Sequence, residues 1–426
     1  MSLPEQSKQE DGDGEDIQGF DFLRKSAWTD LQLYVEGKTI YVSKSFLATI
    51  SPVFRLMFES DFKEKNVDVL PLPGKKYEDV VTFLQCVNPG VLQKVNYSNI
   101  YGVFPLAHEY QVQRLLEECK QCLQKELSSE PISIFDNNCR NVRTTLTVIR
   151  YCEICVLAEN YNLEDLLTTC VTLFSRINAK WYKNVPMFQK ISTELRNRIL
   201  CSRLGTIEGQ TSATVVLPQN SKQDDSAGED IEEIEFLKTS PWTDIQLDIE
   251  GKTLYVSKSF LATISPVFRL MFESDFKEKK VDVLPLPGKK YEDVLTFLQC
   301  LNPRVLRTVN YADIRGVLPL AHEYQVQGLL EECKHCLLTE LLSIPLIVVD
   351  GVFRGTNTNL KILSLCEICS LAEEYCLESL LEICVERFTN INVQSYMNDP
   401  MFQKISTKLR NRIFYNRLLV VEKAMK

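Results

Sequence analysis

The chain has 426 residues, 45% of them apolar and 25% charged, with a formal net charge of −9. That length corresponds to two to four domains at about 100–200 residues each, with enough chain to bury sizeable cores. The acidity excludes a general nucleic-acid-binding surface, the absence of a long apolar run excludes a membrane helix, and the polar opening MSLPEQSKQEDGDGED excludes a signal peptide.

The charge is uneven. Residues 1–24 carry −5, residues 205–241 carry −6, and the remainder is slightly positive at +2. Acidic stretches poor in aromatics stay solvated, so 1–25 is predicted as an acidic disordered tail and 205–239 as a flexible linker. Fifteen cysteines without a secretion signal predict a reducing, intracellular compartment, cytoplasmic and/or nuclear.

In chain order, Leu31, Leu33 and Val35 alternate with polar residues as a half-buried strand does. Glu36-Gly37-Lys38 reads as a turn, and Thr39–Val42 as the returning strand of a hairpin. Phe46, Leu47 and Ile50 give a short helical pattern. Ser51-Pro52 then fits an N-cap followed by proline at the first helical position, opening a second short helix through Phe58. Val67–Leu70 is a third strand. Tyr77–Val87, Ile100–His108 and Val112–Leu127 are helices, and residues 144–204 hold three helical segments with no strand. A small sheet packed with helices is an α+β unit.

That unit occurs twice. Trp28-Thr29-Asp30 recurs as Trp242-Thr243-Asp244, and the offset of 214 holds to the far end. Residues 41–65 are repeated letter for letter at 255–279. A repeat of about 175 residues is a domain-sized unit, not a solenoid element. Residues 129–145 diverge from 343–359, and similarity then returns at CEIC, LAE and PMFQKIST. The predicted units are therefore 26–128 with a helical extension at 144–204, and 240–342 with one at 358–418.

The chemical motifs are weak. Gly37-Lys38-Thr39 resembles the end of a phosphate loop, but position 32 is Gln where that loop needs Gly, and a strand follows. Each unit has two CxxC pairs: Cys119/Cys122 and Cys152/Cys155, then Cys333/Cys336 and Cys366/Cys369. Four such thiolates suit zinc. These pairs, however, lie within helical patterns, and Cys119 falls on an apolar stripe with Leu116, Leu123 and Leu127, so they read as small core residues. Of the three histidines, His108 and His322 occupy equivalent places without a nucleophile signature, and the third is His335. Glu117-Glu118 and Glu331-Glu332 are adjacent on helices and point apart. No catalytic constellation, cofactor site or metal site is predicted, so the chain is read as a non-enzyme.

The front half of each unit resembles a BTB (POZ) domain. The residues that carry the resemblance are Thr29-Asp30, Val35-x-Gly37-Lys38, Lys44-Ser45-Phe46-Leu47-Ala48, Ser51-Pro52-Val53-Phe54, Met57-Phe58 and Leu106-Ala107-x-x-Tyr110-x-Val112. FLQCVNP, FLQCLNP and PMFQKIST resemble the nematode BTB-and-MATH group, although no MATH domain is expected before Trp28. Two departures stand out: Ser43 and Ser257 replace a common histidine, and Cys86-Val87-Asn88-Pro89-Gly90 replaces the usual Tyr-Thr-Gly.

The resemblance implies a fold class of two tandem BTB folds, each followed by a helical BACK-like extension. It implies a protein-interaction function, as an adaptor or scaffold joining the BTB-specific cullin (cullin three) of a RING ubiquitin ligase to an unknown substrate protein. The hydrophobic-x-Glu motif of such adaptors matches Phe62-x-Glu64 and Phe276-x-Glu278, with Tyr110 and Tyr324 carried to the same surface. Asp30 with Lys44, and Asp244 with Lys258, match the charged pair of the dimer pocket. Self-association is implied, within or between chains. The linker, about 37 residues, has a coil reach of about 30–37 Å, so pairing within one chain is a specific expectation. The alternative is an assembly or competitor protein that recruits no ligase.

Overall fold

The computed structural model describes residues 22–59, 67–129, 142–207, 236–273, 281–305, 307–344 and 356–424. Each unit opens with a three-stranded sheet. In the first unit β1 (Leu31–Val35) pairs antiparallel with β2 (Lys38–Val42) and parallel with β3 (Val69–Pro71). In the second, β4 (Ile245–Ile249), β5 (Lys252–Val256) and β6 (Val283–Pro285) repeat that arrangement.

The hairpin explains one oddity of its sequence. Glu36 and Gly37 have φ of +47° and +79°, the left-handed pair that a two-residue turn between twisted strands requires. Glycine is free there, whereas glutamate is strained. The Glu36 side chain nevertheless makes a contact of its own. Its Oε2 accepts the Tyr77 backbone N–H at 2.9 Å, and Glu250 does the same for Tyr291. Lys76, the residue before that helix, makes no side-chain cap, so the hairpin supplies the missing acceptor.

Helices α1 (Lys44–Ile50), α2 (Pro52–Glu59), α3 (Tyr77–Val87), α4 (Ile100–Glu109) and α5 (Gln113–Ser128) pack on this sheet. The strand predicted at 67–70 starts two residues later and ends one later, at Pro71. Proline is tolerated because β3 is an edge strand. Leu72 donates inward to the Tyr34 carbonyl at 3.0 Å, and the N–H that Pro71 lacks falls on the outer side.

The extension follows as α6 (Val142–Asn160), α7 (Glu164–Arg176), α8 (Pro186–Lys190) and α9 (Thr193–Ile207). Among the described residues that is four α-helices where the sequence predicts three segments, because Pro186 starts a separate short helix. The second unit repeats all nine: α10 (Lys258–Ile264), α11 (Pro266–Glu273), α12 (Tyr291–Leu301), α13 (Ile314–Glu323), α14 (Gln327–Ser343), α15 (Thr356–Glu374), α16 (Glu378–Thr389), α17 (Pro400–Lys404) and α18 (Thr407–Ala424). No described helix is long and apolar enough to cross a membrane.

The tail and linker boundaries predicted at 25 and 239 lie inside the fold. Phe22 is buried, packs on Phe46 at 6.1 Å, and its carbonyl accepts the Tyr41 N–H at 2.8 Å. Phe236 is likewise buried, with the same bond from Tyr255. One aromatic outweighs its acidic neighbours because it adds a core contact and a backbone bond to the second strand.

Ser51 links three elements. It follows α1, its Oγ accepts the Phe54 N–H at 3.1 Å in the first turn of α2, and its hydroxyl donates to the Tyr110 carbonyl at 2.6 Å where α4 ends. Ser265 repeats every contact. Ser51→Ala removes a cap and leaves a buried carbonyl unsatisfied, so it is expected to lower stability by about 1–3 kcal/mol. Urea titration of the variant beside Ser51→Thr, which keeps the hydroxyl, checks this; equal loss in both would refute the hydrogen-bond account.

Candidate functional site

The two front halves meet along a seam. Helices α1 and α10 lie against each other, and Phe46 stacks on Phe260 across the seam with ring centroids 6.5 Å apart. Four serines close the polar edge. Ser43 Oγ lies 2.9 Å from Ser259 Oγ, Ser45 Oγ lies 2.8 Å from Ser257 Oγ, and Ser45 also meets Ser259. A hydroxyl both donates and accepts, so like residues satisfy each other across a pseudo-twofold. On the flanks, Trp28 Nε1 donates to Glu273 Oε1 at 2.6 Å and Trp242 Nε1 to Glu59 Oε1 at 2.7 Å. The same indoles pack edge-on against Phe272 and Phe58, each at 6.0 Å.

A second part of the seam is not symmetric. On one side the Gly328 N–H donates to the Pro89 carbonyl at 2.8 Å. On the other, the equivalent bond from Arg114 N–H to the Pro303 carbonyl is longer, at 3.3 Å. The Arg114 side chain crosses the seam, donating to the Cys300 carbonyl at 2.7 Å and pairing with Glu332 while also reaching Glu118 of its own unit at 3.3 Å. A small cavity of about 50 Å³ remains beside it, lined by Cys86, Pro89, Leu301 and Pro303 among others.

The residues assigned to partners by resemblance divide into three groups. Phe62, Glu64, Phe276 and Glu278 lie outside the described residues. Tyr110 and Tyr324 are each 4% exposed. Tyr110 stacks on Phe54 at 4.3 Å and Tyr324 on Phe268 at 4.2 Å, so their rings support α2 and α11 from beneath, and burial raises both phenols above the ordinary range. That is a correction to their placement on an exposed partner surface. What those helices present outward is Leu56, 60% exposed, and Leu270, 53% exposed, immediately before the undescribed segments.

Asp30 and Asp244 are exposed rather than pocketed. Each carboxylate accepts a helix-opening backbone N–H, that of Lys44 at 2.7 Å and that of Lys258 at 2.6 Å. An acid at a helix N-terminus is favoured by the unpaired N–H groups there. The Lys258 ammonium donates to the Val281 carbonyl at 3.0 Å.

Sequence reasoning singled out neither the tryptophans nor Arg114 as contact residues. A signal existed: in two nearly identical stretches, Gly90 stands opposite Arg304 and Arg114 opposite Gly328.

All four CxxC pairs are helical. Cys119, Cys152, Cys155, Cys333, Cys366 and Cys369 are buried, while Cys122 and Cys336 are half-buried. Burial pushes the Cys86, Cys152, Cys333 and Cys366 thiols up to about 12. Cys155 is raised by burial and then by its hydrogen bond with Cys170. Among the described residues no group of three or more His, Cys, Asp or Glu is placed to hold a metal. His108 lies against the Tyr161 ring at 4.8 Å and His322 against Tyr375 at 5.2 Å, which are packing contacts.

These thiols give stability a pH dependence. Above the ordinary thiol value the unfolded chain releases protons that the folded chain retains, so stability is full below about pH 9 and falls as pH rises toward 12, by about 1.4 kcal/mol per pH unit per retained proton. Urea midpoints at about pH 8 and pH 10.5 are expected to fall accordingly, with no response to chelator. A bound metal would hold thiolates low and make the chain chelator-sensitive, overturning the reading of these cysteines as core thiols.

A sequence model of the BTB/POZ domain matches residues 20–127 and again 234–341. Among curated proteins, BTB and MATH domain-containing protein 36 of Caenorhabditis elegans is 31% identical over 99 residues, covering 23% of this chain and 31% of that protein. BTB and MATH domain-containing protein 38 of the same organism is 24% identical over 183 residues, covering 43% and 40%. Kelch-like protein 24 of Rattus norvegicus is 27% identical over 157 residues, covering 37% and 23%. The chain therefore spans well under half the length of these relatives. With both front halves matched, and with a small mixed sheet packed by helices in each, the chain belongs to the BTB/POZ domain family as a tandem pair of these interaction folds, each followed by a helical extension.

Proposed function

We propose that the chain is an adaptor or scaffold that brings a substrate protein to a cullin-three-type RING ubiquitin ligase, working as a paired BTB module and not as an enzyme. The observation that carries this reading is the outward apolar residue on the helix before each hydrophobic-x-Glu motif: Leu56 ahead of Phe62-x-Glu64, and Leu270 ahead of Phe276-x-Glu278. An exposed leucine is unremarkable alone. The same one at the same place in both units, held by a stacked Tyr–Phe pair beneath, fits an apolar anchor with a carboxylate beside it to set orientation. The family matched by both front halves supports an interaction role. The cysteine-rich composition suits work in the cytoplasm or nucleus.

Binding of the purified chain to the N-terminal region of cullin three tests the proposal. Phe62→Ala/Phe276→Ala and Leu56→Ala/Leu270→Ala are each expected to weaken binding at least tenfold, about 1.4 kcal/mol, with unchanged melting. A well-folded wild-type chain that does not bind would leave an assembly module without ligase recruitment.

A further inference from the structure

The repeated units are nearly identical where they meet, yet at two equivalent positions by the seam a glycine in one unit stands against an arginine in the other. The structure sorts those differences by side. Gly90 packs so closely on the second unit that a Cβ there would sit 2.4 Å from the Ile264 carbonyl oxygen. A Cβ at Gly328 would sit 2.4 Å from the Pro89 carbonyl oxygen. Both obstructions are backbone, so no rotamer relieves them. The two glycines therefore share one half of the seam, the half with the 2.8 Å bond. Their counterparts, Arg304 and Arg114, share the other half, where the equivalent bond is 3.3 Å and the Arg114 guanidinium reaches across to Glu332.

We propose that positions 90, 114, 304 and 328 form a two-sided key that selects pairing of unlike units, so that the chain closes on itself. A like pair loses the close half that the two glycines allow. A pair of two first units would put an arginine where Gly328 stands, on both halves. A pair of two second units would put an arginine where Gly90 stands, again on both. Only the unlike pair gathers both glycines on one side and both arginines on the other. The occupant of the first unit's seam is thus the second unit of the same chain, which the connection between them keeps at high effective concentration. The key adds specificity by giving the unlike pair a close half that neither like pair can form.

The full chain tests this through light scattering across a range of concentrations and through melting. Wild type is expected to be monomeric throughout. Gly328→Arg is expected to give concentration-dependent association and a midpoint roughly 3–8 °C lower, as overpacking of this size does. Gly328→Ala, which adds only the obstructed Cβ, should shift the midpoint the same way by less. The fourfold exchange G90R/R114G/R304G/G328R moves the glycines to the other half and is expected to restore the monomer and most of the midpoint. Three results would overturn the proposal: a wild type that dimerises between chains, a Gly328→Arg chain indistinguishable from wild type, or a fourfold exchange no better than Gly328→Arg alone. The last would mean a damaged surface and no pairing code.

Discussion

The contact on which this architecture depends is the meeting of α1 with α10, where Phe46 stacks on Phe260 and four serine hydroxyls satisfy one another. A surface that meets a copy of itself must be self-complementary, residue against equivalent residue. Charged side chains meet that condition badly, since each would face its own sign. Phenylalanine and serine meet it well: an aromatic face accepts another, and a hydroxyl is donor and acceptor together. The stretch repeated letter for letter, 41–65 and 255–279, contains these helices. Its identity has a physical basis, because a change on one side alone would face an unaltered counterpart on the other.

Away from that centre the demand for symmetry relaxes, and the sequence shows it. At the Pro89 and Pro303 ends the two sides differ in spacing by half an ångström, and there the copies differ in residue as well. A glycine pair closes one side, and an arginine that spans two carboxylates fills the other. Tethering makes this divergence possible. A homodimer applies every substitution to both halves at once, whereas a duplicated chain changes one half while the other stays fixed.

Much of the fold was legible because its signals are local. The alternation of Leu31, Leu33 and Val35, the turn at Gly37 and the Ser51-Pro52 helix start all stand in the structure. The motifs that return late in the repeat also acquire reasons. Glu153 of CEIC accepts the Tyr97 hydroxyl, tying the extension to the front half. Glu159 of LAE accepts the backbone N–H of Ser192 in KIST at 3.0 Å, tying α6 to the start of α9. The CxxC spacing taken alone suits zinc, whereas the helical context places six of these eight thiols in the core, where a thiol behaves as a small hydrophobe. Tyr110 was misplaced because a motif gives a position in sequence and not the side of the chain that faces water; its ring lies on Phe54, inside. The tail boundary was missed for a related reason: composition over a window averages away a single Phe22 that packs on Phe46.

The seam and the outer surface of α2 are not independent. The last residues of α2, Phe58 and Glu59, are held by Trp242 of the second unit, and Phe272 and Glu273 of α11 by Trp28 of the first. Each helix that displays an exposed leucine therefore has its C-terminal end fixed by the opposite unit. The stacking of Tyr110 on Phe54 fixes its first turn from within its own unit. The partner proposed to dock at Leu56 would meet a helix positioned from both sides. Separation of the units would remove the Trp242 contacts that hold that end of the helix. On the proposed function, docking there would be thermodynamically linked to closure of the pair, and the link would be reciprocal: a ligand that requires the fixed helix end must itself favour the closed chain.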